Sequence, residues 1–170
     1  MKIVYIDSAY TDYLRKVDNR VSFNKNITYQ RPYIGILFSI GKKEYFAPLT
    51  SSGKNNKLID KPMPESVTFF PLDKCRLGGI NLNNMIPVVK SVYWLVDLNI
   101  LTTDKKWQVN KKNMLRKTIR FIRKHRESII IKSKFLYNLS AQGKLFGNRK
   151  EITCDFKRLE EAAKKWKGGK

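Results

Sequence analysis

A concentration of positive charge in the second half of the chain restricts what this sequence can fold into and bind. Fifteen lysines and arginines and a single acid, Glu127, lie between residues 105 and 150, which gives this stretch a formal charge of +14. The 170-residue chain carries +21 in total, so two thirds of the excess lies in about a quarter of its length. Because charge of this size opposes compaction by self-repulsion, we expect a polyanionic partner.

The densest part of this stretch has the periodicity of an amphipathic helix. Leu115, Ile119 and Ile122 recur at helical spacing and are predicted to face a core. Basic residues line the outer face at the same steps: Lys112, Arg116, Arg120 and Arg123. Acids four residues away are nearly absent, so the pattern differs from a salt-bridged surface helix and indicates phosphate binding by a nucleic-acid interface.

Two other interpretations of the charge are a solvated helix face and an anionic membrane surface. The sequence contains no apolar stretch of 18 residues, and its N-terminus reads as a strand followed by polar residues rather than a signal peptide. Cys75 and Cys154 lack metal-ligand spacing, which favours reduced thiols in a cytoplasm. We therefore expect a cytoplasmic protein that does not bind membranes.

Length and composition predict one domain, residues 1–170, with a hydrophobic core. Residues 1 to about 100 are strand-rich and about 110–166 are helix-rich, which indicates an α+β fold with a strongly twisted antiparallel sheet flanked by helices. The predicted strands are Lys2–Ile6, Tyr33–Ile40, Glu44–Leu49, Val67–Leu72, Ile80–Leu82, Met85–Val89 and Tyr93–Leu98. The predicted helices are Ser8–Val17, Asn110 to about Lys124, Lys132–Gln142 and Phe156–Lys165.

Local signals refine three of these elements. The Gly41-Lys42-Lys43 segment predicts a hairpin between the second and third strands. Pro48 cannot donate a backbone hydrogen bond, so we expect it to end its strand or to lie on a sheet edge. Asp155 is the predicted N-cap of the last helix.

Two common ways of cutting nucleic acids do not suit this composition. His125 is the only histidine, which excludes catalysis by a histidine pair. A metal-dependent nuclease needs clustered carboxylates, whereas the acids here are scattered, with Asp60 and Glu65 the nearest approach to a pair. We therefore expect neither a metal nor another cofactor.

The polar segment Thr50-Ser51-Ser52-Gly53-Lys54 suits a third route, in which an RNA 2′-hydroxyl attacks the adjacent phosphate. Hydroxyl groups can bind phosphate oxygens, and a lysine can stabilise charge or move a proton. Polar loops of this kind are common at strand ends, so the segment alone is a weak signal.

Aromatic residues beside a cation form a second cluster at Tyr29, Gln30, Arg31 and Tyr33. Unpaired bases stack on aromatic rings and on guanidinium planes. For Tyr33 we favour packing at the start of a buried strand, whereas Tyr29 and Arg31 suit either packing or RNA contact. Trp94 and Trp107 are interpreted as core or edge packing.

Six segments, in order, give the chain a resemblance to a known family. They are KIVYIDSAYTDYLRKVD, TYQRPYIGILFSI, YFAPLTSSGK, GGINLNNMIPV, MLRKTIRFIRKHRESI and TCDFKRLEE. Together they resemble the ToxN/AbiQ family, the endoribonuclease toxins of type III toxin–antitoxin systems, over nearly the whole chain.

The resemblance implies a fold similar to the MazF and Kid toxins and metal-independent RNA cleavage that leaves a 2′,3′-cyclic phosphate and a 5′-hydroxyl. It implies abortive infection as the biological role. It also implies a folded, tandem-repeat RNA antitoxin that occupies the same groove as target RNA. A cyclic toxin–RNA assembly, and a monomer in the absence of RNA, belong to the same expectation.

Site residues are carried over from the family unevenly. Its Thr-Ser pair falls on Thr50 and Ser51, and its following lysine on Lys54, with Ser52-Gly53 shifting the local register by one. Its Tyr-Gln-x-Pro segment falls on Tyr29, Gln30 and Pro32. The lysine that follows this proline in relatives has no counterpart, and Arg31 is the candidate replacement. The remaining RNA-binding candidates are Tyr10, Arg116, Lys117, Arg120 and Phe121.

The sequence therefore predicts a metal-independent endoribonuclease toxin with Thr50, Ser51 and Lys54 as its catalytic residues. The alternative is a non-catalytic protein that binds a structured RNA. That alternative accounts for the charge equally well and gives Thr50 and Ser51 no role.

Overall fold

The computed structural model describes residues 1–24, 30–52 and 65–168, and within these ranges the chain forms eight strands and five helices. The strands are β1 (Lys2–Ile6), β2 (Tyr33–Gly35), β3 (Ser39–Ile40), β4 (Lys43–Thr50), β5 (Phe69–Pro71), β6 (Gly79–Asn81), β7 (Ile86–Val88) and β8 (Tyr93–Leu95). The helices are α1 (Ser8–Val17), α2 (Lys106–Lys124), α3 (Arg126–Ala141), α4 (Asn148–Ile152) and α5 (Phe156–Lys165).

The strands form one antiparallel sheet in the order β5-β6-β4-β2-β1-β8, with β3 and β7 pairing β4 beside this path. Helices pack against it: α5 contacts β7, α1 and α3, while α2 contacts β1. The predicted antiparallel α+β architecture is confirmed. No helix within the described ranges is long and apolar enough to cross a membrane.

The predicted position of Pro48 at a strand end or sheet edge is wrong. Pro48 lies inside β4, opposite Tyr33 of β2. The next amide, that of Leu49, donates to Pro32 O on the β2 side at 2.9 Å, so the nitrogen of Pro48 points to the other side. On that side, β4 pairs with β7 as far as Phe46 and with β6 from Leu49 onward, which leaves a gap between the two partner strands. The missing donor of Pro48 falls in this gap and interrupts no pairing.

The predicted strand Tyr33–Ile40 is broken into β2 and β3. Tyr33 pairs with Pro48, and Ser39 pairs with Glu44. Between these two pairs the chain advances six residues on the β2–β3 side and four residues on β4, so the pairing is interrupted. The ring of Phe46 occupies the space beside Gly35, where a β-carbon would lie 1.9 Å from its Cε1. The hairpin itself is confirmed, since Ile40 pairs with Lys43 across Gly41 and Lys42.

Helix bounds agree with the sequence at the two ends of the chain and differ between them. The predicted α1 and α5 are confirmed, and Asp155 caps α5 by accepting from the Arg158 amide at 3.0 Å. Helix α2 begins at Lys106 rather than Asn110, and α3 begins at Arg126 rather than Lys132. Helix α4 was not predicted. Leu115, Ile119 and Ile122 are buried, so the predicted core face of α2 is confirmed.

Candidate active site

A groove of about 330 Å³ opens between the end of β4 and helix α2. We call it the β4–α2 groove. It is lined by Phe23, Arg31, Pro32, Leu49, Thr50, Ser51, Leu77, Lys111, Met114, Leu115 and Thr118. Three of the residues singled out in the sequence, Arg31, Thr50 and Ser51, therefore share one cavity.

Strand pairing fixes the Thr50-Ser51 pair at the wall of this groove. Thr50 is the last residue of β4, is half-buried and pairs with Gly79 of β6. Ser51 follows it and is exposed. The backbone of Gly78 lies directly against the Thr50 carbonyl, a closeness that only glycine allows, and its φ of +83° also favours glycine. The position of the two hydroxyls thus depends on the turn between β5 and β6.

Arg31 is held beside the end of β4 by contacts on both of its sides. Its backbone amide donates to Asn24 Oδ1 at 3.3 Å, and one terminal guanidinium nitrogen donates to Leu49 O at 3.3 Å. Its Nε is buried and has no hydrogen-bond partner among the described residues. The side chain therefore places a cation in the groove with donor capacity left for a ligand.

Helix α2 contributes Lys111, Met114, Leu115 and Thr118, which lie on one face at steps of three and four residues. Thr118 is only 2% exposed, and its Oγ1 has no hydrogen-bond partner within the described part of the chain. A buried hydroxyl without a hydrogen-bond partner costs free energy. A ligand that hydrogen-bonds to the Thr118 hydroxyl would therefore gain affinity. Neither Lys111 nor Thr118 was predicted as a site residue, although Lys111 lies in the basic stretch between residues 105 and 150.

Arg116 and Arg120, which were expected to bind RNA, do not line the β4–α2 groove. Arg120 is nine residues from Lys111, and Arg116 is five, so at about 100° per residue both lie roughly on the opposite side of α2. Lys117 is exposed and also does not line the groove. Phe121 is half-buried and stacks on His125, with ring centroids 4.1 Å apart. The cations within the groove lining are instead Arg31 and Lys111.

Tyr10, predicted to bind RNA, lies in the core. It is fully buried, and its hydroxyl donates to Pro87 O at 2.7 Å. Burial raises the pKa of Tyr10 far above its ordinary value, which keeps the phenol protonated. Its ring packs edge-on against Trp166, with centroids 5.3 Å apart. This placement gives Tyr10 a packing role and no surface for RNA.

The other candidates have mixed placements. Gln30 lines a neighbouring groove rather than the β4–α2 groove. Tyr33 is fully buried in β2, which confirms the packing interpretation. Tyr29 and Lys54 lie outside the described residues. Within those residues, no group of three or more histidine, cysteine or acidic side chains is placed to hold a metal ion.

The fold and the groove define a small, strongly basic α+β protein with a cationic, hydroxyl-bearing cleft. Residues 2–164 match the family model described as the toxin ToxN of type III toxin–antitoxin systems. The chain belongs to this family.

Similar proteins agree with this assignment. An endoribonuclease ToxN from Pectobacterium atrosepticum is 37% identical over an alignment of 174 positions. The alignment covers 95% of this chain and 91% of the relative. A solved structure of a bacterial antiviral system regulated by a processed non-coding RNA superposes with a TM-score of 0.80 at 34% identity, covering 99% of this chain and 100% of that one. A second, a type III toxin selectively inhibited by a non-coding RNA pseudoknot, gives 0.74 at 27% identity, covering 99% and 98%.

Proposed function

We propose that the protein is a metal-independent endoribonuclease toxin whose active site is the β4–α2 groove. The observation that carries this proposal is that Thr50, Ser51, Arg31 and Lys111 line one cavity. Membership of the ToxN family supports it, because the Pectobacterium relative is named as an endoribonuclease.

The chemistry is an attack by the RNA 2′-oxygen on the adjacent phosphorus. The new 2′-oxygen–phosphorus bond forms as the bond from phosphorus to the 5′-oxygen breaks, which leaves a 2′,3′-cyclic phosphate and a 5′-hydroxyl. One proton leaves the 2′-hydroxyl and one is delivered to the 5′-oxygen. Extra negative charge gathers on the phosphate oxygens in the transition state, and fixed hydrogen-bond donors and cations stabilise it there.

Four residues of the groove and three others have a part in this scheme. Thr50 and Ser51 hold the scissile phosphate through their hydroxyls, and Arg31 and Lys111 stabilise the added charge. Arg31 is the proposed replacement for the lysine that the family resemblance implies after Pro32. Lys54 stabilises charge or moves a proton, and Tyr29 and Gln30 place the flanking nucleotides.

The proposed partner and inhibitor is a folded, repeated RNA antitoxin that fills the same groove. The two solved relatives support this, since one is a system regulated by a non-coding RNA and the other is inhibited by an RNA pseudoknot. Loss of this RNA releases the toxin in the cytoplasm and blocks phage replication by abortive infection. The protein is proposed to be a monomer without RNA and to form a cyclic assembly with it. A likeness of its sheet to MazF and Kid stays a prediction.

Purified protein and an unstructured RNA, incubated in EDTA, test the reaction. We expect fragments with cyclic-phosphate ends. Ser51→Ala is expected to lower the cleavage rate by about 100-fold or more, the usual effect of removing one donor to a transition-state oxyanion. Lys54→Ala is expected to have a comparable effect.

Ser52→Ala is the matched control, because Ser52 adjoins Ser51 and does not line the groove. It should cleave at the parental rate. Intact RNA with the parent protein would favour the non-catalytic RNA-binding alternative, and cleavage that appears only with added magnesium would refute metal independence. Full activity in folded Ser51→Ala and Lys54→Ala variants would overturn the site assignment.

A further inference from the structure

A second groove, of about 380 Å³, adjoins the β4–α2 groove and shares Lys111 and Leu115 with it. Strand β1, strand β8 and the first turns of α2 form its walls. We call it the tryptophan groove, after Trp94 and Trp107 in its lining. Tyr5, Gln30 and Lys111 also line it. Because Lys111 lines both cavities, a single bound strand could pass from one to the other.

The two tryptophans of this groove are unusually open to solvent. Trp94 is 46% exposed and Trp107 is 50% exposed, so neither serves mainly to fill the core. Trp94 lies on the edge strand β8, opposite Tyr5 of β1, and their ring centroids are 6.5 Å apart. Trp107 lies in the first turn of α2. Exposed aromatic rings around one cavity form a surface on which flat ligands can stack.

The charges of the tryptophan groove suit a nucleobase better than a phosphate. The Asp97 carboxylate lines it and repels phosphate, while it can accept hydrogen bonds from base amino groups. Lys112 is occupied, since its Nζ donates to Asp104 at 2.7 Å and to Asn99 O at 2.6 Å. Lys111 has its Nζ 5.4 Å from the centre of the Tyr5 ring, at the junction with the β4–α2 groove. Gln30 adds an amide that can both donate and accept.

We propose that the tryptophan groove is a stacking subsite for unpaired bases of the same RNA strand whose phosphate lies in the β4–α2 groove. This inference rests on the proposed function and deepens it. Trp94 and Trp107 hold base faces, Gln30 and Asp97 read base edges, and Lys111, at the junction of the two cavities, contacts the scissile phosphate from which the bases extend. From Trp107 to Thr118 helix α2 runs about 16 Å, which gives room for more than one nucleotide.

Binding of a short, unstructured 2′-O-methyl RNA tests the subsite without cleavage, because this probe has no 2′-hydroxyl nucleophile. We expect the RNA to quench tryptophan fluorescence. Trp94→Ala and Trp107→Ala should each weaken binding by roughly 5- to 100-fold, the range for loss of one base stack. Trp94→Phe and Trp107→Phe should recover most of that loss, because a phenylalanine ring still stacks. An abasic strand of equal length should bind the parent and the alanine variants alike.

Phe135→Ala is the matched control, since Phe135 is an aromatic on α3 that is 52% exposed and lines neither groove. It should bind RNA as the parent does. The subsite is refuted if the alanine variants bind the base-containing strand normally, or if they weaken the abasic strand equally. It is also refuted if they change only the association of the chain with itself.

Cleavage assays on ordinary RNA separate this inference from the proposed function. If the parent cleaves RNA and the tryptophan variants have the same rate and KM, the proposed function is supported and the stacking subsite is refuted. If the parent cleaves no RNA, the proposed function is refuted. The binding of the 2′-O-methyl RNA then tests the stacking surface independently of cleavage.

Discussion

Gly78 packs against the backbone of Thr50 so closely that a β-carbon at residue 78 would lie 1.9 Å from the Thr50 carbonyl oxygen. We therefore expect Gly78→Ala to push the Thr50-Ser51 segment out of position. A misplacement of about 1 Å can cost an enzyme about 100-fold in rate, and we expect a loss of that order in RNA cleavage. The measurement is the single-turnover rate on unstructured RNA, with folding checked by circular dichroism.

Gly143→Ala provides the control for backbone strain alone. Gly143 also has a positive φ, +67°, but nothing lies within 4 Å of where its β-carbon would stand. It should lose about 1–2 kcal/mol of unfolding free energy and cleave RNA normally. Equal activity of the two variants would contradict the dependence of the Thr50-Ser51 pair on residue 78.

Thr118 offers a test in which stability and function move in opposite directions. Replacing Thr118 by valine keeps the shape and removes a buried hydroxyl that has no partner among the described residues. We expect Thr118→Val to be as stable as the parent or up to about 1 kcal/mol more stable. If the hydroxyl binds RNA in the β4–α2 groove, the same change weakens RNA binding.

Thermal unfolding and RNA titration measure the two effects of Thr118→Val. Thr118→Ser keeps the hydroxyl and should retain RNA affinity while losing stability through the missing methyl group. An unchanged affinity for RNA in Thr118→Val would remove Thr118 from the binding site.

The elements that could be predicted from sequence are those fixed by local signals. Helices α1 and α5 have apolar faces at helical spacing and capping aspartates, Asp7 and Asp155, next to their first residues. The Gly41-Lys42 turn fixes the hairpin of β3 and β4 in the same local way. The Thr50-Ser51 pair follows a recognisable strand, and the family resemblance singles it out at that strand end.

The errors have non-local causes. Pro48 is tolerated inside β4 because β7 and β6, far along the chain, leave a gap beside it. The spacing of Leu115, Ile119 and Ile122 revealed the buried face of α2 but not which flank of the helix would meet the end of β4. Docking of that strand selects Lys111 and Thr118 rather than Arg116 and Arg120. No periodicity within α2 encodes that choice.

Since Arg116 and Arg120 lie away from the β4–α2 groove, we expect them to act on affinity rather than on the chemical step. With roughly 6 phosphate contacts to a single strand, RNA binding should weaken by about 300-fold when the salt concentration rises about fourfold, from ~50 to ~200 mM. The double variant Arg116→Gln/Arg120→Gln should lower the slope of log affinity against log salt by about 1.4, at roughly 0.7 for each lost contact to a single strand.

The cleavage rate at saturating RNA separates the two sets of cations. It should be unchanged in Arg116→Gln/Arg120→Gln and reduced in Lys111→Gln, whose charge lies in the groove. An equal loss of rate in both variants would mean that the arginine face takes part in the chemical step.

The loss of fold stability as the pH falls below about 5 is expected to come in part from Glu160, which is 5% exposed and joins α5 to β4 and α3. Its Oε1 accepts from Tyr45 at 2.8 Å and from Tyr137 at 2.7 Å. Burial alone would raise the pKa of Glu160, but the two hydrogen bonds and the cations Lys157 and Lys43 together lower it below its ordinary value of 4.5. A carboxylate with a lowered pKa stabilises the folded state above its unfolded pKa, and this contribution is lost as the pH falls through the folded pKa.

Urea unfolding of Glu160→Gln at several pH values measures this contribution. The amide can still accept both hydrogen bonds but carries no charge, so we expect a loss of about 1–2 kcal/mol at pH 7, the difference between charged and neutral acceptors. The loss should shrink as the pH falls through the folded-state pKa of Glu160, below which the parent also becomes neutral at this site. Glu161→Gln, at an exposed neighbour paired with Lys164, should leave the unfolding free energy nearly unchanged at every pH, because exposed ion pairs contribute little. A penalty for Glu160→Gln that stays constant from pH 7 down through the acid titration of Glu160 would show that packing, and not the buried charge, accounts for the effect.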